Sequence, residues 1–260
     1  MTSITKPKEP RGIQSIDVSG RILEAFLRLP APVMLKQISA ETGLAAAQVH
    51  AYLSSLKRMD LVVQNPSDGR YELGPLALRL GLAYRDSYQP MRAASETLDI
   101  IAARTGYLSA LVIWNSAGPT VFEVRAGREP LNVNIRPGTL FPITGSGVGA
   151  VFAAFLPDSI INPMTKKERG DGPATHIGWR MTAEEFSRRK TDARACGFVA
   201  VAGQPIRGVN SIAMPILDAS GDLIASILML GNEETMDIAC GGALYDDVRA
   251  IMRDRTANPR

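Results

Sequence analysis

The chain has 260 residues, 45% hydrophobic and 21% charged, which are ordinary globular proportions with material for one large core or two smaller ones. No run approaches the roughly 20 apolar residues that span a bilayer, and the start, MTSITKPKEPRG, lacks the apolar centre of a secretory signal, so the expected location is the cytoplasm. Net charge is +3 but uneven: residues 1–85 carry eleven Lys and Arg against seven Asp and Glu, and the remainder eighteen against nineteen. A mildly basic end on a neutral body fits a nucleic-acid partner held at that end.

Ile16, Val18, Ile22, Leu23, Phe26, Leu27 and Leu29 recur close to helical spacing until Pro30 and Pro32 stop them, which predicts a first helix. MLKQISAETG predicts a second, short helix with Leu35 and Ile38 inward and Gly43 as a left-handed exit. Leu44 opens a third run, in which Val49, Leu53 and Leu56 repeat through Met59. LVVQNPSDGRYEL then predicts two short strands, 61–64 and 70–73, around the turn Asn65, Pro66, Ser67, Asp68 and Gly69. Three helices and a hairpin make a winged helix-turn-helix, whose third helix enters a major groove while the wing touches the backbone.

The candidate DNA-contacting residues are Lys36, Ala46, Ala47, Gln48, His50, Tyr52, Ser54, Lys57, Arg58 and, on the wing, Arg70. LAAAQV, at the start of the third helix, is poor in donors: an alanine there can touch a thymine methyl but cannot hydrogen-bond a base edge. The same architecture can instead serve as a protein interaction module.

GPLALRLGLAYRDSYQP carries Leu76, Leu80, Leu82 and Tyr84 on a helix expected to end at Pro90, and its economical partner is the same helix of a second chain. A helix over 91–105 leads into the strand-like runs YLSALVIW and TVFEVRA. Further strands are expected at 198–202, in NSIAMPIL and in LIASILML, the last two joined by the hairpin turn DASGD. Helices are expected at 147–155, 182–196 and 233–253. Hairpin strands flanked by helices predict an α+β domain with a largely antiparallel sheet, not a doubly wound parallel one.

FPITGSGVGAVFAAFLP holds Gly145, Gly147 and Ala150 in the spacing of a dinucleotide-binding loop. The context argues against that reading, because Pro142 interrupts the preceding strand and NPMTKKERGDGPATH, about twenty residues on, reads as a polar loop. What survives is a helix start whose Thr144, Gly145, Ser146 and Gly147 offer N–H and hydroxyl donors to a small anionic group; alternatively the glycines only permit a tight turn. Cys196 and Cys240 read as small buried hydrophobes, and with His50 and His176 far apart they form no metal-ligand set and no nucleophile–base pair. No cofactor, metal or enzymatic activity follows.

In LKQISAETGLAAAQVHAYLSSLKRMDLV, GRYELGPLALRLG, RPGTLFPITGSGVGAVFAAFLP and GVNSIAMPILDASGDLIASILML, in that order and spacing, the chain resembles the IclR family of bacterial transcriptional regulators from about Ser15 to about Arg253. The resemblance implies a winged helix-turn-helix at 13–74, a linker helix used in dimerisation at 75–90 and a GAF-like effector domain at 91–255. It implies a cytoplasmic regulator of catabolic genes, a repressor or an activator, that binds a double-stranded DNA operator as a homodimer or a pair of dimers. It also implies an effector site of Thr144, Gly145, Ser146, Gly147, Val148, Ala200, Val201, Ser211, Leu228 and Leu230.

The chain departs from the family in two places. Ala46, Ala47, Gln48 and Ala51 occupy the stretch where members usually carry a lysine, serine or threonine and later an arginine, which shifts weight onto Lys57, Arg58 and Arg70. In the pocket only Ser211 is polar among the residues corresponding to those that meet small keto acids, so a larger, more apolar effector is expected, an aromatic acid with its carboxylate at the glycine loop. Rival readings are a DNA-binding regulator with a vestigial pocket and an enzyme using that pocket.

Overall fold

The computed structural model describes residues 12–87, 89–170 and 181–257, and the chain divides into two compact units, Met1–Ser87 and Tyr88–Arg260. In the first, helices α1 (Gln14–Arg28), α2 (Leu35–Thr42) and α3 (Ala46–Arg58) precede a hairpin of β1 (Val62–Gln64) and β2 (Tyr71–Leu73), and α4 (Pro75–Ser87) follows. The apolar stripes meet as predicted: Val18, Ile22 and Phe26 of α1, Ile38 of α2, and Val49, Leu53 and Leu56 of α3 close one core with Val62 and Tyr71 of the hairpin. Gly43 ends α2 at φ +68°, its N–H bonding to the Ser39 carbonyl at 2.9 Å, and so supplies the tight turn into α3.

The wing is tied down at both ends. Val33 and Tyr71 exchange backbone hydrogen bonds of 2.9 and 2.8 Å, and Asn65 folds the tip by accepting from the N–H and hydroxyl of Ser67 at 2.9 and 2.7 Å. Helix α4 buries no side chain within its unit, leaving Leu78, Leu80, Leu82 and Tyr84 exposed.

The second unit contains α5 (Gln89–Thr105), β3 (Leu108–Asn115), β4 (Gly118–Arg125), α6 (Gly147–Phe155), α7 (Asp158–Gly170), α8 (Ala183–Cys196), β5 (Val199–Val201), β6 (Val209–Leu217), β7 (Leu223–Asn232) and α9 (Ala243–Ala257). Among the described residues its five strands pair antiparallel in the order β4-β3-β7-β6-β5, the expected α+β architecture. Strand periodicity sorts the side chains into two cores: Ile212, Met214, Ile227 and Met229 face α5 and α9, whereas Ala213, Leu228 and Leu230 face α6. An all-antiparallel sheet has no place for the βαβ unit of a dinucleotide fold, so the glycine spacing is not a nucleotide fingerprint.

Three expectations are corrected. The polar stretch after residue 161 is not loop as far as Gly170 but the body of α7, which starts behind Pro157 with Asp158 in its first turn and buries Ile161. The last helix begins at Ala243, ten residues later than expected, because Asn232 and Asp237 first accept local turn bonds from Met236 and Ala239 and Gly241 takes φ +80°. Cys240 is exposed, and Cys196 packs half-buried against the core of α5 and α9, so neither is a fully buried hydrophobe. Among the described residues no helix is long and apolar enough to cross a membrane. His176 lies outside the described residues.

Candidate functional sites

On the first unit, Ala46, Ala47, Gln48 and His50 are exposed on the first two turns of α3, and Ala51 joins them. No side chain caps the helix at Ala45, which leaves its first N–H groups available to an acceptor such as a phosphate. Lys36 is exposed at the start of α2. Tyr52 packs against the core instead of standing free, and the Ser54 hydroxyl donates to the His50 carbonyl at 2.9 Å, so both are partly committed inside the domain.

The cationic groups are organised by neighbours the sequence did not single out. Lys57 Nζ donates to Gln64 Oε1 at 2.7 Å, while Gln64 Nε2 donates to the Gly69 carbonyl at 3.0 Å, so one amide joins the end of α3 to the wing tip. Arg58 donates to Ser55 Oγ at 3.1 Å, and Arg70 stands 3.8 Å from Asp68, which offsets part of its charge at the wing. Gln64 is missed in the sequence because nothing in a polar residue at a strand end signals that its two amide atoms face different elements.

On the second unit, a cavity of about 40 Å³ opens between the start of α6 and the sheet. Its wall includes Ser146, Gly147, Val148, Val201, Ser211, Leu228 and Leu230 from the expected set. Gly147 lets α6 approach β5 closely: a Cβ there would lie 3.3 Å from Val201 Cγ2. Phe141, Val209 and the bend Gln204, Pro205 and Ile206 complete much of the wall and are missed in the sequence, since nothing in an apolar or bend residue tells which cavity it will face. Among the described residues no Lys, Arg or His lines it.

The structure separates the predicted anion loop into two faces. Ser146 caps α6 for itself: its hydroxyl accepts from Gly149 N–H at 2.9 Å and donates to the Pro142 carbonyl at 2.7 Å. Among the described residues the N–H groups of Gly147 and Val148, two residues that line the cavity, have no acceptor. The donors of Thr144 do not serve the cavity. They are taken by Glu168 of α7, whose carboxylate accepts from Ile143 N–H at 2.6 Å and from the N–H and hydroxyl of Thr144 at 3.0 Å each.

Thr144 and Gly145 therefore leave the expected set of cavity-lining residues, and so does Ala200, which strand alternation turns to the opposite sheet face. Glu168 is the group the sequence concealed, because its helix reads as loop.

Residues 15–66 match the family model described as the IclR helix-turn-helix domain. The glycerol operon regulatory protein of Streptomyces griseus is 28% identical over 253 residues, covering 95% of this chain and 95% of that protein. The crystal structure of Pseudomonas aeruginosa HmgR aligns with a TM-score of 0.71 at 27% identity, covering 94% of this chain and 98% of that one. An IclR homolog from Microbacterium hydrocarbonoxydans, complexed with 4-hydroxybenzoate, aligns with a TM-score of 0.70 at 18% identity over 94% of this chain and 96% of that one.

Proposed function

Because the chain belongs to the IclR family of DNA-binding transcriptional regulators, we propose that α3 and the wing read an operator and that a small organic acid with an aromatic body, entering the α6 cavity, modulates that binding. The observation that carries this reading is the cavity itself: Val201, Leu228 and Leu230 line it together with Gly147 and Val148, residues at a helix start whose N–H groups have no acceptor among the described residues. Apolar burial favours the ring at roughly 25 cal/mol per Å², and the two N–H groups suit one carboxylate. The neighbour from Microbacterium hydrocarbonoxydans, crystallised with 4-hydroxybenzoate, supports the ligand class.

At about 40 Å³ the cavity is smaller than the roughly 150 Å³ of an apolar cavity that takes benzene, so an aromatic acid must widen it. The bend at Gln204, Pro205 and Ile206 is the exposed part of its wall and the part that can give. The movement is the physical link from ligand to DNA, because a ligand shifts an equilibrium only through its different affinity for two states. Such coupling is typically worth 1–3 kcal/mol.

The exposed Leu78, Leu80, Leu82 and Tyr84 of α4 support pairing of two copies, which places two recognition helices on a two-part operator in front of catabolic genes. Fluorescence anisotropy on the upstream DNA of the protein's own gene, against a scrambled duplex and across salt concentrations, tests the reading. Preference for the upstream DNA that shifts with 4-hydroxybenzoate or benzoate is the expected result. Specific binding indifferent to every acid in a broad panel would mean a vestigial pocket, and equal weak binding to both duplexes would refute operator reading there.

A further inference from the structure

Glu168 places a carboxylate against the same loop that presents the cavity's free N–H groups. Its oxygens sit 2.6–3.0 Å from the donors of Ile143 and Thr144, and only two residues, Gly145 and Ser146, separate Thr144 from Gly147, a span of at most about 10 Å of extended backbone. Glu168 thus puts an anion of the protein's own on the loop that leads into the positive end of α6, whose first residues line the cavity. Among the described residues no cationic side chain lines the cavity to compensate. The walls are also largely apolar and buried, so water screens the pair of charges poorly.

The geometry points to Glu168 as a specificity-determining residue that limits the charge of the effector: the cavity takes a singly charged carboxylic acid and rejects a doubly charged headgroup such as a phosphate ester or phosphonate. This rests on the cavity being the effector site. Two unit charges about 10 Å apart at an effective dielectric near 20 repel by an amount equivalent to roughly ten- to twentyfold in affinity, and each added ligand charge incurs it again. The two N–H donors of Gly147 and Val148 can offset one charge; among the described residues no group on the wall is placed to offset a second.

The test is a charge series on one ring. Benzyl alcohol, benzoate and phenylphosphonate, the last in alkaline buffer where it is doubly charged, are titrated by calorimetry into the full-length protein and into Glu168→Gln. Glutamine keeps the length and an acceptor oxygen for Thr144 while removing the charge. Expected is no change for benzyl alcohol, about tenfold tighter binding of benzoate and about a hundredfold gain for phenylphosphonate. An equal change for all three ligands would mean that Glu168 only shapes the loop and would overturn the inference; so would a lack of saturable binding of every ligand to both proteins.

Glu168→Ala, with thermal unfolding to verify the fold, repeats the series should glutamine disturb the loop. The titrations contain no DNA, so failed operator preference by anisotropy would remove the regulator reading while leaving a positive charge series standing.

Discussion

Substituting Gly149 by alanine puts a Cβ 2.2 Å from the Ile143 carbonyl oxygen, 2.5 Å from Ile143 Cα and 2.5 Å from the Pro142 carbonyl oxygen. These are backbone atoms, so no side chain can rotate away, and the loop must retreat from α6 by about 1 Å to regain ordinary contact. Retreat also stretches the bonds by which Ser146 joins Pro142 to Gly149, at 2.7 and 2.9 Å. Overpacking against so stiff a neighbour costs about 3 kcal/mol, and alanine's better helix propensity returns at most about 1 kcal/mol, for a net loss near 2 kcal/mol.

In a domain of 150–250 residues that corresponds to a fall in Tm of about 4–8 °C. Gly147→Ala is the control, since its Cβ meets a side-chain methyl of Val201 at 3.3 Å that can yield, and the two effects nearly cancel. Differential scanning calorimetry of both variants beside the wild type measures the difference. A Gly149→Ala protein that melts within about 1 °C of wild type would refute the account, because the loop at Pro142 and Ile143 could not then be seated on α6 as described.

Two other outcomes follow from named contacts. Lys57→Ala removes a cation that Gln64 holds beside the wing, so the slope of log K against log salt for operator binding becomes shallower by about one; an unchanged slope would place Lys57 off the phosphates. The Cys196 thiol is pushed up by its hydrogen bond with Cys240 and by burial, so near neutral pH it is less ionised and less nucleophilic than an ordinary thiol. A disulfide reagent should modify the exposed Cys240 first, and Cys240→Ala, which removes the hydrogen-bond partner, should make Cys196 faster than it is in the wild type; a Cys196 rate that stays the same or falls would contradict the assigned cause.

Much of this molecule follows from local pattern. The period of apolar residues, Gly43 as a left-handed exit, and the Asn65–Gly69 turn suffice for a winged helix-turn-helix, because each is a constraint between residues a few positions apart. Alternation along NSIAMPIL and LIASILML, with a hairpin turn between, likewise required an antiparallel sheet. Seven of the ten expected effector residues do line one cavity, since the strands and the α6 start that carry them were readable.

Tertiary structure alone decided what those residues face. Whether position 200 or 201 meets the cavity is a matter of strand register, which turns Val201 in and Ala200 away. The donors of Thr144 looked free because an N–H shows no partner in a sequence, and the partner, Glu168, comes from a charged helix 24 residues later. The same holds for Gln64, whose two amide atoms join elements that become neighbours only once the core has closed. Periodicity is written in the chain because the backbone repeats; the electrostatics of a site is a sum over groups brought together by folding, and its sign is settled only in three dimensions.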